Sequence, residues 1–413
     1  MRIAFVASSV PRRCGIATFT ADLSAAVKSA DPGARIYAAA INEPGAARAY
    51  GPDVRWRIQQ EEPSTYRDAA IAISASNVDI VNVQHEFGLY GVWHDGTYDD
   101  HLRVFLESCT KPVVTTLHTV APKPEPWALE TIRYISEHSE QVVVMGTTAA
   151  RLLREVYGVR RPPVVIEHGM PAIDPKGRHR LKRQLGVEDR PIVSTFGLVD
   201  PRKGLEFVIE AMPAIVARHP EALYLVVGQT HPELQRREGE AYRNSLISSA
   251  ARLGMRDHVK FVNQYLTQRE VVDYLLATDV YVTPYLDPNQ ITSGTLAYAL
   301  GAGKAIVSTP YLHEQEVLDR GRGILVPFRD SAAITTAVNS VLGDPQKKRE
   351  LELRAYEYGR QMAWPAIGRR VLAMMRDVLD HRAGAPLLVP PAAPAPPERE
   401  PEEELHEEPT PIA

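Results

Sequence analysis

Residues Val280 to Thr309 read VYVTPYLDPNQITSGTLAYALGAGKAIVST. The stretch opens and closes on short apolar, β-branched runs, Val280 to Thr283 and Ala305 to Ser308. Between them lie a turn-rich segment and a helix-compatible one. Such runs, each followed by a turn and then an amphipathic stretch, predict buried parallel strands joined by crossover helices. Thr292, Ser293 and Gly294 are expected to form the first turn of the intervening helix, with backbone N–H groups free to meet a phosphate. Gly301 and Gly303 would end that helix and let the next strand pack closely.

The same pattern extends in both directions. Before it come the candidate strands Ile192 to Phe196, Leu223 to Val227 and Val259 to Val262. Earlier still lie Ile3 to Ala7, Ile80 to Gln84, Val113 to Leu117, Gln141 to Met145 and Val164 to Ile166. Two such series in 413 residues predict an α/β protein with two Rossmann-like, doubly wound domains and a cleft between them. Pro171, Pro175 and Gly177 beside the basic run Arg178-His179-Arg180 place the boundary within Gly169 to Gly186. The expected division is 1–172, 173–362 and a closing helix over 363–382. Residues 383–413 are rich in Pro and Glu and are expected to be a disordered tail.

Composition narrows the function. A formal net charge of -4 gives no electrostatic reason to expect nucleic acid as a partner. Cys14 and Cys109 are the only cysteines, which excludes a disulfide framework and fits a reducing compartment. The first apolar run ends at Ser8 and Ser9, too soon for a secretory core, and no apolar stretch nears the roughly 20 residues that cross a bilayer. A soluble, cytoplasmic protein is expected, with peripheral membrane contact left open and the oligomeric state unassigned.

In a doubly wound domain ligands bind at the carboxyl ends of the strands, so the loops there hold the candidates. After the first strand, Ser8 to Ala17 includes Arg12, Arg13 and Gly15 before a helix, a turn suited to a phosphate or a polar substrate. His85 and Glu86 follow the strand at Ile80 among turn-forming glycines, a surface suited to sugar hydroxyls. His118 and His168 also stand at strand ends. Their spacings match no metal template, and no metal site is assigned. In the second half, Phe196 to Gly204 holds two adjacent cations, Arg202 and Lys203, in a Gly-bounded loop that can meet a diphosphate.

Taken together, residues 1 to about 380 resemble the GT-B glycosyltransferases, specifically family 4. Val280 to Thr309 is the most telling piece, Ile192 to Met212 resembles the family's strand, Lys-Gly loop and helix, and Gly228-Gln229-Thr230 stands where the family has a Gly-rich loop near the nucleotide. Trp364 to Leu379 resembles the helix that crosses back to the first domain. The family's two glutamates, eight positions apart, fall on Gln290 and Tyr298, and an arginine of its loop is Leu198 here.

The resemblance implies transfer of a hexosyl group, mannosyl or glucosyl, from a nucleotide diphosphate sugar such as GDP-mannose to a glycan or lipid-linked acceptor. It implies retention of configuration and no cofactor beyond the donor. It assigns donor binding to Gly15, Arg202, Lys203, Gly228, Gln290, Thr292, Ser293, Gly294, Thr295 and Tyr298. Acceptor binding goes to Arg12, His85, Glu86 and His118, and catalysis to His118, Lys203 and Gln290. Two alternatives stand beside it: another GT-B enzyme, such as an NDP-sugar epimerase or a sugar phosphorylase, and a non-catalytic sugar-nucleotide-binding protein. A cofactor lysine for the phosphorylase is not evident.

Overall fold

The computed structural model describes residues 1–188 and 190–382; the expected disordered tail lies outside the described residues. The first half contributes β1 (Arg2–Ala7), β2 (Arg35–Asn42), β3 (Val54–Gln59), β4 (Ile80–His85), β5 (Gly91–His94), β6 (Thr97–Asp100), β7 (Val113–Leu117), β8 (Gln141–Val144) and β9 (Val164–Val165). The second half contributes β10 (Ile192–Phe196), β11 (Leu223–Val227), β12 (Val259–Val262), β13 (Val280–Thr283), β14 (Ala305–Ser308) and β15 (Ile324–Leu325). β4, β11 and β13 are buried along their whole lengths, as strands covered by helices on both faces must be.

Seven strands pair in parallel in the order β3-β2-β1-β4-β7-β8-β9, and six more in the order β12-β11-β10-β13-β14-β15. β5 and β6 form a separate antiparallel hairpin. Each sheet therefore starts at an inner strand, winds out one way and then crosses to the other side. The switch points lie between β1 and β4 and between β10 and β13, where the crevice of a doubly wound sheet takes its ligand. The fold is the expected α/β pair of Rossmann-like lobes.

Three local expectations need correction. β2 and β3 were not read from the sequence: β2 is rich in alanine, and β3, the edge strand, alternates Arg55 and Arg57 with apolar residues instead of forming a buried run. The proposed linker contains the helix Arg178–Gln184, whose single buried apolar residue, Leu181, gives no visible period. The helix after β13 begins at Gly294, not Thr292, with Ser293 as its cap.

The lobes meet in several places. Helix Trp364–Arg382 returns to the first lobe and packs Ile367, Val371, Met374 and Met375 against Phe19, Leu23, Ala26 and Val27 of helix Gly15–Ala30. The two helices approach so closely that a Cβ on Gly368 would lie 2.4 Å from the carbonyl oxygen of Ala26. Met170 forms a bridge with Ala363, at the turn into the returning helix. Finally, helix Thr147–Glu155 has no side-chain cap of its own. Glu316 of the second lobe supplies one, accepting from the N–H of Thr147 at 2.6 Å and of Thr148 at 3.0 Å.

Candidate active site

A cleft of about 760 Å³ lies between the carboxyl ends of the two sheets and takes lining residues from both lobes. On the second lobe it is lined by the loops that follow β10, β11, β12 and β13. The loop after β10 makes a short 3₁₀ turn, Pro201–Lys203, capped by Asp200. Gly204 leaves that turn at φ 62°, where a Cβ would lie 2.3 Å from the carbonyl oxygen of Pro284. The loop after β11 is drawn against it: a Cβ on Gly228 would lie 2.1 Å from the carbonyl oxygen of Gly197. Arg243, almost fully buried, fixes this second loop by donating to the carbonyl of Gly228 at 2.7 Å.

The two adjacent cations differ. Arg202 makes a bidentate pair with Asp200, Nε to Oδ1 and Nη2 to Oδ2, each 2.9 Å. Although burial pushes its carboxyl up, these hydrogen bonds hold Asp200 below its ordinary value, and Arg202 itself is raised. Its charge is thus already matched. Lys203 instead donates to the phenol oxygen of Tyr285 at 2.6 Å and sits 3.9 Å above that ring. The Tyr285 hydroxyl is in turn 2.9 Å from Thr295 Oγ1, in the first turn of helix Gly294–Gly301. Lys203 and the start of that helix therefore converge. Among the described residues no carboxylate pairs with this ammonium, and the site can take an anion.

Helix Gly294–Gly301 presents its opening to the same cleft. Ser293 Oγ accepts from Leu296 N at 3.3 Å, which leaves the N–H groups of Gly294 and Thr295 without an intrahelical partner. Ser293 is 4% exposed and is committed to this cap instead of lining the cleft. The Thr292 hydroxyl is buried without a partner beside the cleft. Gln290 lines the cleft and donates to the carbonyl of Thr292 at 2.9 Å. Tyr298, one turn into the helix, meets Gln268 Nε2 at 3.0 Å, and Gln268 also donates to Asp22 of the first lobe at 3.1 Å. Burial pushes the Tyr298 phenol up to about 12.

On the first lobe Gly15 opens helix Gly15–Ala30 beside the cleft, and a Cβ there would meet nothing within 4 Å. The space is open toward a ligand. His118 donates from Nε2 to Gln84 Oε1 at 2.9 Å and packs edge-on against Phe19. Burial, aided by His168 and His85, pulls His118 down to about 3, so the ring is neutral near pH 7. His168, read from the sequence but not assigned a role, also lines the cleft and is pulled down to about 4 by burial. Its Nε2 would lie 3.1 Å from a Cβ on Gly294. Glu86 accepts from Thr119 Oγ1 at 2.9 Å, and burial pushes its carboxyl up.

Two expected acceptor residues are elsewhere. His85 is fully buried, stacked on Tyr90 and 2.8 Å from Asp100 Oδ2; it anchors the β5–β6 hairpin. Arg12 turns away to Glu43, the carbonyl of Ile41 and Gln60. Its neighbour Arg13 lines the cleft and lies over the Tyr265 ring. The two side chains go to different partners, and composition alone does not tell which faces the ligand. Tyr285 and Gln268 were also missed, because their roles depend on partners far along the chain.

Residues 177–362 match the family model described as Glycosyl transferases group 1. The second lobe is thus similar to group 1 glycosyl transferases. Among curated proteins the chain is 26% identical over 243 residues to a GDP-mannose-dependent alpha-(1-6)-phosphatidylinositol monomannoside mannosyltransferase of Mycolicibacterium smegmatis, covering 56% of this chain and 60% of the relative. It is 22% identical over 328 residues to a phosphatidyl-myo-inositol mannosyltransferase of the same organism, covering 76% and 75%. With a D-inositol 3-phosphate glycosyltransferase of Nocardia farcinica it shares 28% over 277 residues, 61% of this chain and 58% of that one. Among solved structures, 92% of the chain superposes on the whole of a sucrose-phosphate synthase from Thermosynechococcus elongatus, with a TM-score of 0.72 at 18% identity. Similarly, 91% superposes on 99% of Anabaena HepE in complex with UDP and glucose, with a TM-score of 0.68 at 17% identity. Both neighbours share the GT-B fold. The matched span contains Lys203, Gly228, Gln290 and Gly294, while Gly15, Glu86 and His118 lie outside it.

Proposed function

We propose that the chain is a cytoplasmic glycosyltransferase that moves a hexosyl group, mannosyl before glucosyl, from a nucleotide diphosphate sugar to a carbohydrate or lipid-linked acceptor with retention of configuration. The observation that carries this reading is the convergence of Lys203, which has no carboxylate partner among the described residues, with the free amides of Gly294 and Thr295 on one cleft. Charge builds on the leaving diphosphate as the bond from the anomeric carbon to its phosphate oxygen breaks. Preorganised donors at that place stabilise it most in the transition state. The acceptor hydroxyl forms the new bond from the first lobe's side of the cleft, and its proton passes to the leaving phosphate oxygen. Lys203 and the amides stand where a metal would otherwise neutralise charge, and His118, neutral, orients hydroxyl groups without donating a full charge. Mannosyl and GDP are favoured because relatives are named as GDP-mannose-dependent.

The test is a thermal-shift panel of GDP, UDP, GDP-mannose and UDP-glucose, since a ligand of the folded state raises the melting temperature. A shift with one diphosphate that Lys203→Ala abolishes is expected. An unchanged shift in that variant removes the loop from the phosphate site. Slow hydrolysis of the donor without acceptor separates an enzyme from a binding protein.

A further inference from the structure

The donor site makes no use of the β5–β6 hairpin. Phe87, just before it, Trp93 and Tyr98 within it, and Trp127 at the start of helix Pro126–Glu137 form one aromatic cluster. Ring centroids are 5.1 Å apart for Phe87 and Trp127, 5.0 Å for Trp93 and Tyr98, and 5.3 Å for Trp93 and Trp127. Tyr98 is buried, yet Trp93 is 53% exposed. The cluster adjoins the cleft wall along the chain without lining it: Phe87 follows Glu86, and Trp127 lies on the helix entered from the lining segment Thr119 to Ala121. An indole held edge-on by Trp127, tilted against Tyr98 and open on one side is a rigid platform next to the first lobe's side of the cleft.

Charge decides what such a platform takes. Residues 86–101 contain Glu86, Asp95, Asp99 and Asp100 and no Lys or Arg. Lys123, on the approach to Trp127, is balanced by Glu125 two residues on. Arg103 is held over the Tyr134 ring and paired with Glu107 and Glu130. A phosphorylated headgroup would meet acidic groups here. A neutral sugar would find an aromatic face for its C–H surface and the exposed carboxylates of Asp95 and Asp99 to accept its hydroxyls.

We infer that Trp93 and its aromatic neighbours form an acceptor subsite for an uncharged sugar ring of a glycan. This rests on the glycosyltransferase reading and gives its acceptor a chemical class unlike the phosphatidylinositol in the relatives' names. The experiment is a ligand-observed NMR titration of the full chain with mannobiose, maltose and cellobiose, against myo-inositol 1-phosphate. At least one neutral disaccharide should bind, and Trp93→Ala should weaken it about tenfold while Trp93→Phe keeps most of the affinity. The melting temperature of each variant checks that it is folded. Binding of the inositol phosphate alone, no binding by the three disaccharides at tens of millimolar, or an unchanged affinity in Trp93→Ala overturns the inference. The diphosphate-induced thermal shift of the unmodified chain tests the glycosyltransferase reading separately, so the two can fail independently.

Discussion

The two lobes share a winding pattern, yet the polar residues at their strand ends are used in opposite ways. In the first lobe His85 is bound to Asp100, His118 to Gln84, and Arg12 to Glu43 and Gln60. In the second, Lys203 meets only a phenol, Thr292 keeps a buried hydroxyl without a partner, and a helix opens two amides to the cleft. These three first-lobe side chains are tied to partners within their own lobe, whereas Lys203 of the second lobe stands beside an open helix start. Topology locates a crevice in both sheets, and a cation beside free amides is what distinguishes the second.

That contrast can be broken experimentally. The largest effect is expected at Lys203: its replacement by Ala should weaken diphosphate binding by about 2–4 kcal/mol, roughly 30- to 1000-fold, as read by calorimetric titration. Next is the acid response of the buried histidines. His118 is pulled to about 3, and His168 and His313 to about 4, all mainly by burial. The unfolded chain takes up protons near its ordinary histidine value of about 6.5, which the folded one does not. Stability is therefore full above pH 6.5 and is lost as pH falls from there toward 4. Each histidine contributes up to about 1.4 kcal/mol per pH unit, measurable by urea unfolding at pH 7.5 and 5.5. Donor affinity should show no step at pH 6.5 arising from His118.

Smaller effects sharpen the comparison. Glu316→Ala removes the cap that the second lobe lends to helix Thr147–Glu155 and should lower stability by about 1 kcal/mol. Amide exchange should quicken at Thr147 and Thr148 and leave helix Gly294–Gly301 unchanged. Arg202→Ala should be the mildest, below about 1 kcal/mol in diphosphate affinity, because Asp200 already holds that guanidinium. If it instead matched Lys203→Ala, the division between a committed and an available cation would be wrong.

The architecture was legible wherever strands are buried on both faces. β4, β11 and β13 announce themselves as apolar runs, while β2 and β3 do not, since one is built of alanines and the other alternates arginines along an edge. The closing helix, Trp364–Arg382, was readable, but Arg178–Gln184 was hidden in a basic run. At the site, glycines and cations at strand ends pointed to loops that line the cleft. Sequence could not tell Arg12 from Arg13, nor Arg202 from Lys203, because each choice is made by a partner folded against it: Glu43, Tyr265, Asp200 and Tyr285. The Asp22–Gln268 contact, between residues 246 apart in sequence, was likewise invisible.

The returning helix bears on how the protein is made. Phe19, Leu23 and Val27 are covered by residues that follow Trp364. At ordinary ribosomal speeds the chain between them takes roughly tens of seconds to emerge. Throughout that interval the nascent first lobe carries an uncovered greasy flank, which makes it a natural client for chaperones until the closing segment arrives.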